Sequence, residues 1–479
     1  MGLADAQWVV AIEYGFESWP KLKNEIQRLS QSFEEKVKSF IQAAVDGRTG
    51  IAQTILAETP DVADANFYSA AVIGNHKKLK DFLEKDPESL SRRGGPKENW
   101  DALLYLSNSH LHRINATIAE NILISAKLLL ENGADPNVFY DHPMWPDSPL
   151  RPLYGACGIT NNPALATILI DAGAQLNDGE SMYHAAENYH LECMELLLER
   201  GEDISTPHPL FQNSPLFFLM GWQENRHQWP TVAKGITWLL ENGSDPNVPC
   251  EKQQETVLHC AVRQRHSVDI IQELFSHGAD PNLPRKDGKT PYHLALLEGD
   301  TGIINCFKKH GALEPELSET DRFLAACFSG DTGKAQSILK GSPELFSSLT
   351  EQERLSLVQA ADDNNIAAIK TMLTVGFDIT EKGESDWGGT PLHMASWKGN
   401  IEAVELLLEH GAPIDIQANE PPEGVPLGWA AHGSKNCANP NGDYVAVVQA
   451  LVEAGTIAKP YMFSEASNEV RAAIEPILK

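Results

Sequence analysis

The sequence predicts an all-α solenoid of stacked helical hairpins, on three observations. A helix stop built on glycine recurs along the chain, a helix start built on Thr-Pro recurs upstream of it, and successive copies fall 33 to 35 residues apart, as Gly243, Gly278 and Gly311 show. The length agrees, because 479 residues far exceed what one hydrophobic core of ~100–150 residues serves.

The stop is an apolar run, then Gly, a small or apolar residue, and Asp-Pro-Asn or a relative of it. It reads LLLENGADPN at 128–137, LIDAGAQLN at 169–177, LLLERGEDIS at 196–205, LLENGSDPN at 239–247, LFSHGADPN at 274–282, LTVGFDIT at 373–380 and LLLEHGAPID at 406–415. Gly takes the left-handed position after the last helical turn, and Asp, Pro and Asn turn the chain away.

The start is cleanest in TPLHMASWKGNIEAVELLLEHGA at 390–412, with TPYHLALLEGD at 290–300, TVLHCAVRQRH at 256–266 and SMYHAAENYH at 181–190. Thr390 caps a short helix and Pro391 supplies a helical φ in its first turn. Leu392 and Ala395 share one face, and after Gly399-Asn400 a second helix carries Val404, Leu407 and Leu408 at spacings of three and four. Neither helix can bury its stripe alone, so units must stack.

These phrases resemble the ankyrin repeat, whose signature is TPLHxA followed about 15 residues later by a leucine run and GAD. Degenerate copies at 40–56, 67–83, 323–339 and 357–373 keep the paired alanines and lose TPLH. The resemblance implies an ankyrin-repeat solenoid of about twelve helix-turn-helix units between Phe33 and Thr456, with β-hairpin fingers and helical caps. The expected organisation is a capping segment at 1–32, an array with long insertions at 33–313, a second array stacked on the first at 314–456, and a capping helix at 457–479. The acidic stretch LEPELSETD at 313–321 is the expected interruption, with a modest hinge. Residues 3–23 are similar to a segment that precedes ankyrin arrays in many bacterial proteins, which implies a bacterial source.

Insertions rich in Trp, Phe, His and Asp fall at 138–152, 205–214, 222–235, 381–389, 417–426 and 433–443. Loops of this composition, held on a rigid frame, are where binding concentrates.

The net charge of −28 repels phosphate backbones and anionic membranes, so a protein partner with a basic surface is expected rather than nucleic acid. No apolar run is long enough to span a bilayer, and the N-terminus lacks the basic start and apolar stretch of a signal peptide. Seven scattered cysteines form no CxxC pair, which fits a reducing cytoplasm.

No phosphate loop, nucleophile elbow or HExxH helix occurs, so neither a catalytic centre nor a cofactor is read from the chain. His184, His259, His293 and His393 recur at one repeat position, which points to structural hydrogen bonds between neighbouring units. The HxH pair His110 and His112 has no carboxylate or cysteine at ligand spacing, so no metal site is expected there. By the family resemblance, the concave face carries Trp397 and Lys398, Leu297 and Glu298, Arg263 and Gln264, Asn188 and Tyr189, with fingertips Asp386, Trp387, Arg285 and Lys286. In the weaker units Gly221 and Trp222, and His432 and Gly433, take the same places. The expected function is a protein–protein interaction module gripping its partner there. Two alternatives are a small-molecule enzyme or binder built on the aromatic insertions, and an acidic immunity or inhibitor protein against a basic partner.

Overall fold

The structure is a computed structural model that describes residues 10–16, 18–19, 22–23, 26, 30–141, 148–222, 228–383, 388–419, 424–437, 439–463 and 466–478. It is mostly helical, and the chain divides into two compact units, residues 1–215 with 234–239 and residues 216–233 with 240–479.

The first unit pairs Phe33–Val45 with Thr49–Glu58, Phe67–Ile73 with His76–Lys85, Ala102–Ser107 with Ala116–Glu131, and Ser181–Glu187 with Leu191–Glu199. Between the last two pairs, Pro152–Tyr154 runs into one wide turn at Gly155–Ile159 and is answered by Pro163–Asp171. Phe40, Tyr105, Leu111, Ile122 and Leu129 are fully buried in this unit.

The second unit pairs Val257–Arg263 with Val268–Ser276, Pro291–Glu298 with Thr301–Lys309, Glu319–Phe328 with Thr332–Gly341, Ser356–Asp362 with Ile366–Val375, Pro391–Lys398 with Ile401–Glu409, and Pro426–Asn436 with Tyr444–Glu453. Helix Asn468–Leu478 closes it. One apolar cluster runs from Phe323 to Ile474 and takes in Leu392, Val404, Leu407, Leu427 and Leu451. Truncating any of these leucines to alanine costs roughly 2–5 kcal/mol. The acidic stretch from Leu313 forms neither helix nor strand as far as Ser318, and helix Glu319–Phe328 starts there with a Ser318–Asp321 capping box.

The glycine stops behave as the sequence requires. Gly133, Gly173, Gly201, Gly243, Gly278, Gly311, Gly376 and Gly411 all have positive φ, with open space where a Cβ would stand. A side chain would fit there, so it is the left-handed backbone that selects glycine.

The asparagine after each stop does more than turn the chain. Asn247 donates its amide to the Gly278 carbonyl at 2.9 Å and accepts from the Asp280 N–H at 2.8 Å. Asn282 repeats the clip one unit on, to the Gly311 carbonyl and the Leu313 N–H. In the first unit Asn137 clips the Gly173 carbonyl and the Gln175 N–H in the same way. A second kind of link runs from the start of two outer helices: Asn365 donates to the Phe328 carbonyl, and Asn400 to those of Ala361 and Asp362.

The recurrent histidines form a third set of links. The Thr390 N–H donates to His393 Nδ1 at 3.1 Å, which leaves the proton on Nε2, and Nε2 donates to the Gly424 carbonyl at 2.6 Å. His259 is held identically between Thr256 and the Lys289 carbonyl. His293 instead faces the Asp321 carboxylate at 3.2 Å. Regular strand pairing is sparse among the described residues: Tyr140–Asp141 runs antiparallel to Pro149–Leu150, and Cys250 bridges Glu255.

Helices Pro391–Lys398 and Pro426–Asn436 approach closely at Gly433, where a Cβ would stand 2.3 Å from the Trp397 carbonyl oxygen. Gly433→Ala is therefore expected to force the pair apart and cost about 1–3 kcal/mol, read as a lower urea midpoint with a shifted tryptophan emission. His393→Ala strands the Thr390 N–H and Gly424 carbonyl and should cost about 1–3 kcal/mol at neutral pH. Burial holds His393 down at about 4, below its ordinary 6.5. Its contribution is thus complete above 6.5 and is lost as pH falls from there through 4. Urea titrations between those limits should show a shallower acid decline in the variant than in the parent.

Candidate functional site

Inner helices of the second unit start after Thr256, Thr290, Ser318, Leu355 and Thr390, and the groove is built from side chains at matching helical spacings. From Thr290, spacings of three and four put Leu294, Leu297 and Glu298 on one face of helix Pro291–Glu298. Leu324 and Phe328 repeat that spacing on helix Glu319–Phe328, and Leu355, Val358 and Asp362 do so around helix Ser356–Asp362. With Met394 the apolar members of this set form the floor of a groove of about 970 Å³, and Glu298 and Asp362 stand at its edge.

The rim is charged and mostly paired. Arg285 reaches Glu255 at 2.7 Å and Asp287 at 2.8 Å, and Arg263 meets the same Glu255 at 3.2 Å. The Arg285 hydrogen bonds hold the Asp287 carboxyl at about 2. Lys289 pairs with Asp321 at 3.0 Å. Lys286 keeps an exposed side chain, while its N–H donates to the Gln253 carbonyl of the preceding finger. At the other edge, Arg265 contacts Glu298 and Asp363, and Lys398 lies 3.7 Å from Asp362. Burial raises the carboxyls of Glu298 and Asp362, and it raises Asp363 to about 7 against the pull of Arg265.

Of the residues expected on the binding face, the groove brings together Arg263, Arg285, Lys286, Leu297 and Glu298. Gln264 is half-buried beside them, at the end of helix Val257–Arg263. Trp397 forms an aromatic stack, with its ring 5.6 Å from His432 and edge-on to Trp429 at 6.2 Å. Lys398 is only 9% exposed. Trp222 is half-buried just beyond helix Pro215–Met220. In the first unit, Asn188 donates to the His184 and Gly158 carbonyls, and Tyr189 lies under Lys234 Nζ, 5.6 Å from its ring centre. Asp386 and Trp387 lie outside the described residues. Arg265, Asp363 and Phe328 were not among the expected residues, and no sequence signal could have joined Arg265 to a partner so far along the chain.

A second polar cluster ties insertions of the first unit to its repeats. Glu180 accepts from Ser148, from His208 Nε2 at 2.9 Å and from His184 Nε2 at 3.3 Å, and His184 Nδ1 lies 2.7 Å from Glu187. His208 Nδ1 accepts the N–H groups of Leu210 and Phe211, which fixes its loop. Burial alone would raise Glu180, but the hydrogen bonds from His184, His208 and Ser148 outweigh it and hold it at about 2. Burial would likewise lower His184, and its two carboxylate partners carry it up to about 9. A carboxylate that weakly basic and an imidazole already protonated at neutral pH are poorly suited to proton transfer. The cluster is a bolt between Ser148, His208 and the repeat frame. Among the described residues, no group of His, Cys, Asp and Glu is arranged to hold a metal ion.

The family model for ankyrin repeats in three copies matches residues 232–316, 323–420 and 357–457, together just under half of the chain. Human Rabankyrin-5 is 26% identical over 237 residues, covering 40% of this chain and 20% of its own length. The E3 ubiquitin-protein ligase KEG of Arabidopsis thaliana is 27% identical over 291 residues, covering 52% of this chain and 18% of its own. The chain thus spans about a fifth of the length of these relatives. Among solved structures, the human ASB11 ankyrin repeat domain covers 52% of this chain and 99% of its own, at 22% identity and a TM-score of 0.38. The phrases around Thr256, Thr290 and Thr390, the left-handed glycine stops and the family match agree: residues 232–316 and 323–457 of this chain are ankyrin repeats.

Proposed function

We propose that the groove of the second unit holds a segment of a protein partner, with the partner's apolar side chains on Leu297, Phe328 and Val358 and its polar flanks against Arg285, Lys286 and Glu353. The supporting observation is the groove itself, which gathers an apolar floor and charged rims from repeats far apart in sequence. Ankyrin repeats generally mediate protein–protein interaction, which supports the same reading. An apolar centre ringed by charge is the usual anatomy of such interfaces.

The excess of 66 acidic over 38 basic residues favours a partner with a basic surface over nucleic acid. All seven cysteines are free thiols and six of them are buried, which supports a reducing, cytoplasmic setting. No helix among the described residues is long and apolar enough to cross a membrane.

Capture of partners on the immobilised protein, followed by affinity measurement on the captured species, tests this reading. The double variant Leu297→Asp, Val358→Asp should weaken binding by tenfold or more, which corresponds to about 1.4 kcal/mol or above. Its helical circular dichroism should match that of the parent. Undiminished affinity in the folded variant would remove the groove from the interface. Binding should also weaken as salt rises from about 0.05 to about 0.5 M, and salt-independent binding would remove the basic partner.

A further inference from the structure

Arg265 stands in the turn after helix Val257–Arg263, in the left-handed conformation with φ +57°. Its guanidinium contacts Glu298, at the end of the next inner helix, and reaches Asp363 Oδ2 at 2.7 Å in the turn after helix Ser356–Asp362. Helices Pro291–Glu298 and Glu319–Phe328 both intervene along the chain, so this one side chain spans several repeats. Glu298 and Asp362 line the groove, so the contact closes one edge of it.

The groups around the contact do not balance. Asp363 faces Arg265 from the first turn, Glu298 from the second helix, and Gln359 and Asp362 on its own helix. Lys398 approaches Asp362 at 3.7 Å from helix Pro391–Lys398, and Glu402 reaches the adjacent Asn364 at 3.5 Å. Three clustered carboxylates, Glu298, Asp362 and Asp363, thus share two cations, Arg265 and Lys398. No described residue hydrogen-bonds Asp362 Oδ1 or Arg265 Nε, although both atoms are buried. Excess buried negative charge is relieved either by taking up a proton or by opening to water.

We propose that Arg265, Glu298, Asp362, Asp363 and Lys398 form a proton-linked clasp on the groove, whose closed form holds one more proton than its open form. The inference rests on the groove being the binding site and concerns its regulation. All three carboxyls are raised by burial, with Asp363 at about 7, whereas an exposed turn aspartate titrates near ~3.9. The proton therefore favours the closed form. The closed-to-open ratio falls up to about tenfold per pH unit as pH rises from ~4 toward 7, and it levels off above 7. An isolated surface ion pair would respond in the opposite sense, since acid would break it.

Spin labels at Lys286→Cys and Gln352→Cys, both exposed and both lining the groove, report its width by pulsed electron paramagnetic resonance. The background is Cys250→Ser, because Cys250 is the half-buried thiol and the other six are buried. The expected result is a short distance at about pH 5 and a longer population growing by tenfold or more at about pH 8. Asp363→Asn, close in shape and uncharged, should hold the short distance at both pH values. Arg265→Gln should show the long distance at both, with circular dichroism confirming that each variant is folded. Equal distances at the two pH values, a shift of opposite sign, or an unaltered pH response in Asp363→Asn would overturn the clasp. No partner is added, so failure here is separable from failure of the binding reading.

Discussion

Each two-helix unit leaves polar groups that side chains of its neighbours satisfy. Helices of seven to thirteen residues, such as Val257–Arg263 and Phe33–Val45, are marginal on their own. Their glycine turns leave carbonyls that need donors. Asn247 and Asn282 supply them from the preceding unit, His259 and His393 link to the following one, and Asn365 and Asn400 reach back from the start of each outer helix. Apolar stripes give most of the cohesion, but these side-chain links fix the register in which the stripes meet.

Local features were the legible ones. A glycine stop and a Thr-Pro start are decided within a few residues, so the sequence identified Gly278, Gly311, Thr290 and Thr390 correctly. The histidines were legible by recurrence, and His259 and His393 do link neighbouring units, whereas His184 turns to Glu180 and Glu187 because this unit supplies carboxylates in its place. Long-range partners were not legible. Nothing near Arg265 announces Asp363, and nothing in the insertions announces that Ser148 and His208 meet at Glu180. Position within the motif also says little about exposure: Lys398 is drawn in by Asp362 of the preceding unit, and Trp397 is covered by His432 of the following one.

The groove and the frame share their charges. Arg285 joins its own finger to Glu255 of the preceding one, and Lys289 joins Asp321 of the following unit, so the rim that faces a ligand also sets the spacing of the fingers. Ligand contact at Arg285 or Lys289 would be felt along the stack, because each of these charges already belongs to two repeats. The rings of Trp397, Trp429 and His432 join the two neighbouring units by aromatic contact instead.

The clips made by Asn137, Asn247 and Asn282 end on main-chain carbonyls and amides rather than on side chains. A joint of that kind is indifferent to the residue it meets, provided the backbone turns there. Neighbouring modules are thus free to drift in composition, accept loops of differing length, or be duplicated and exchanged. The coupling geometry survives while the vocabulary on the surface changes.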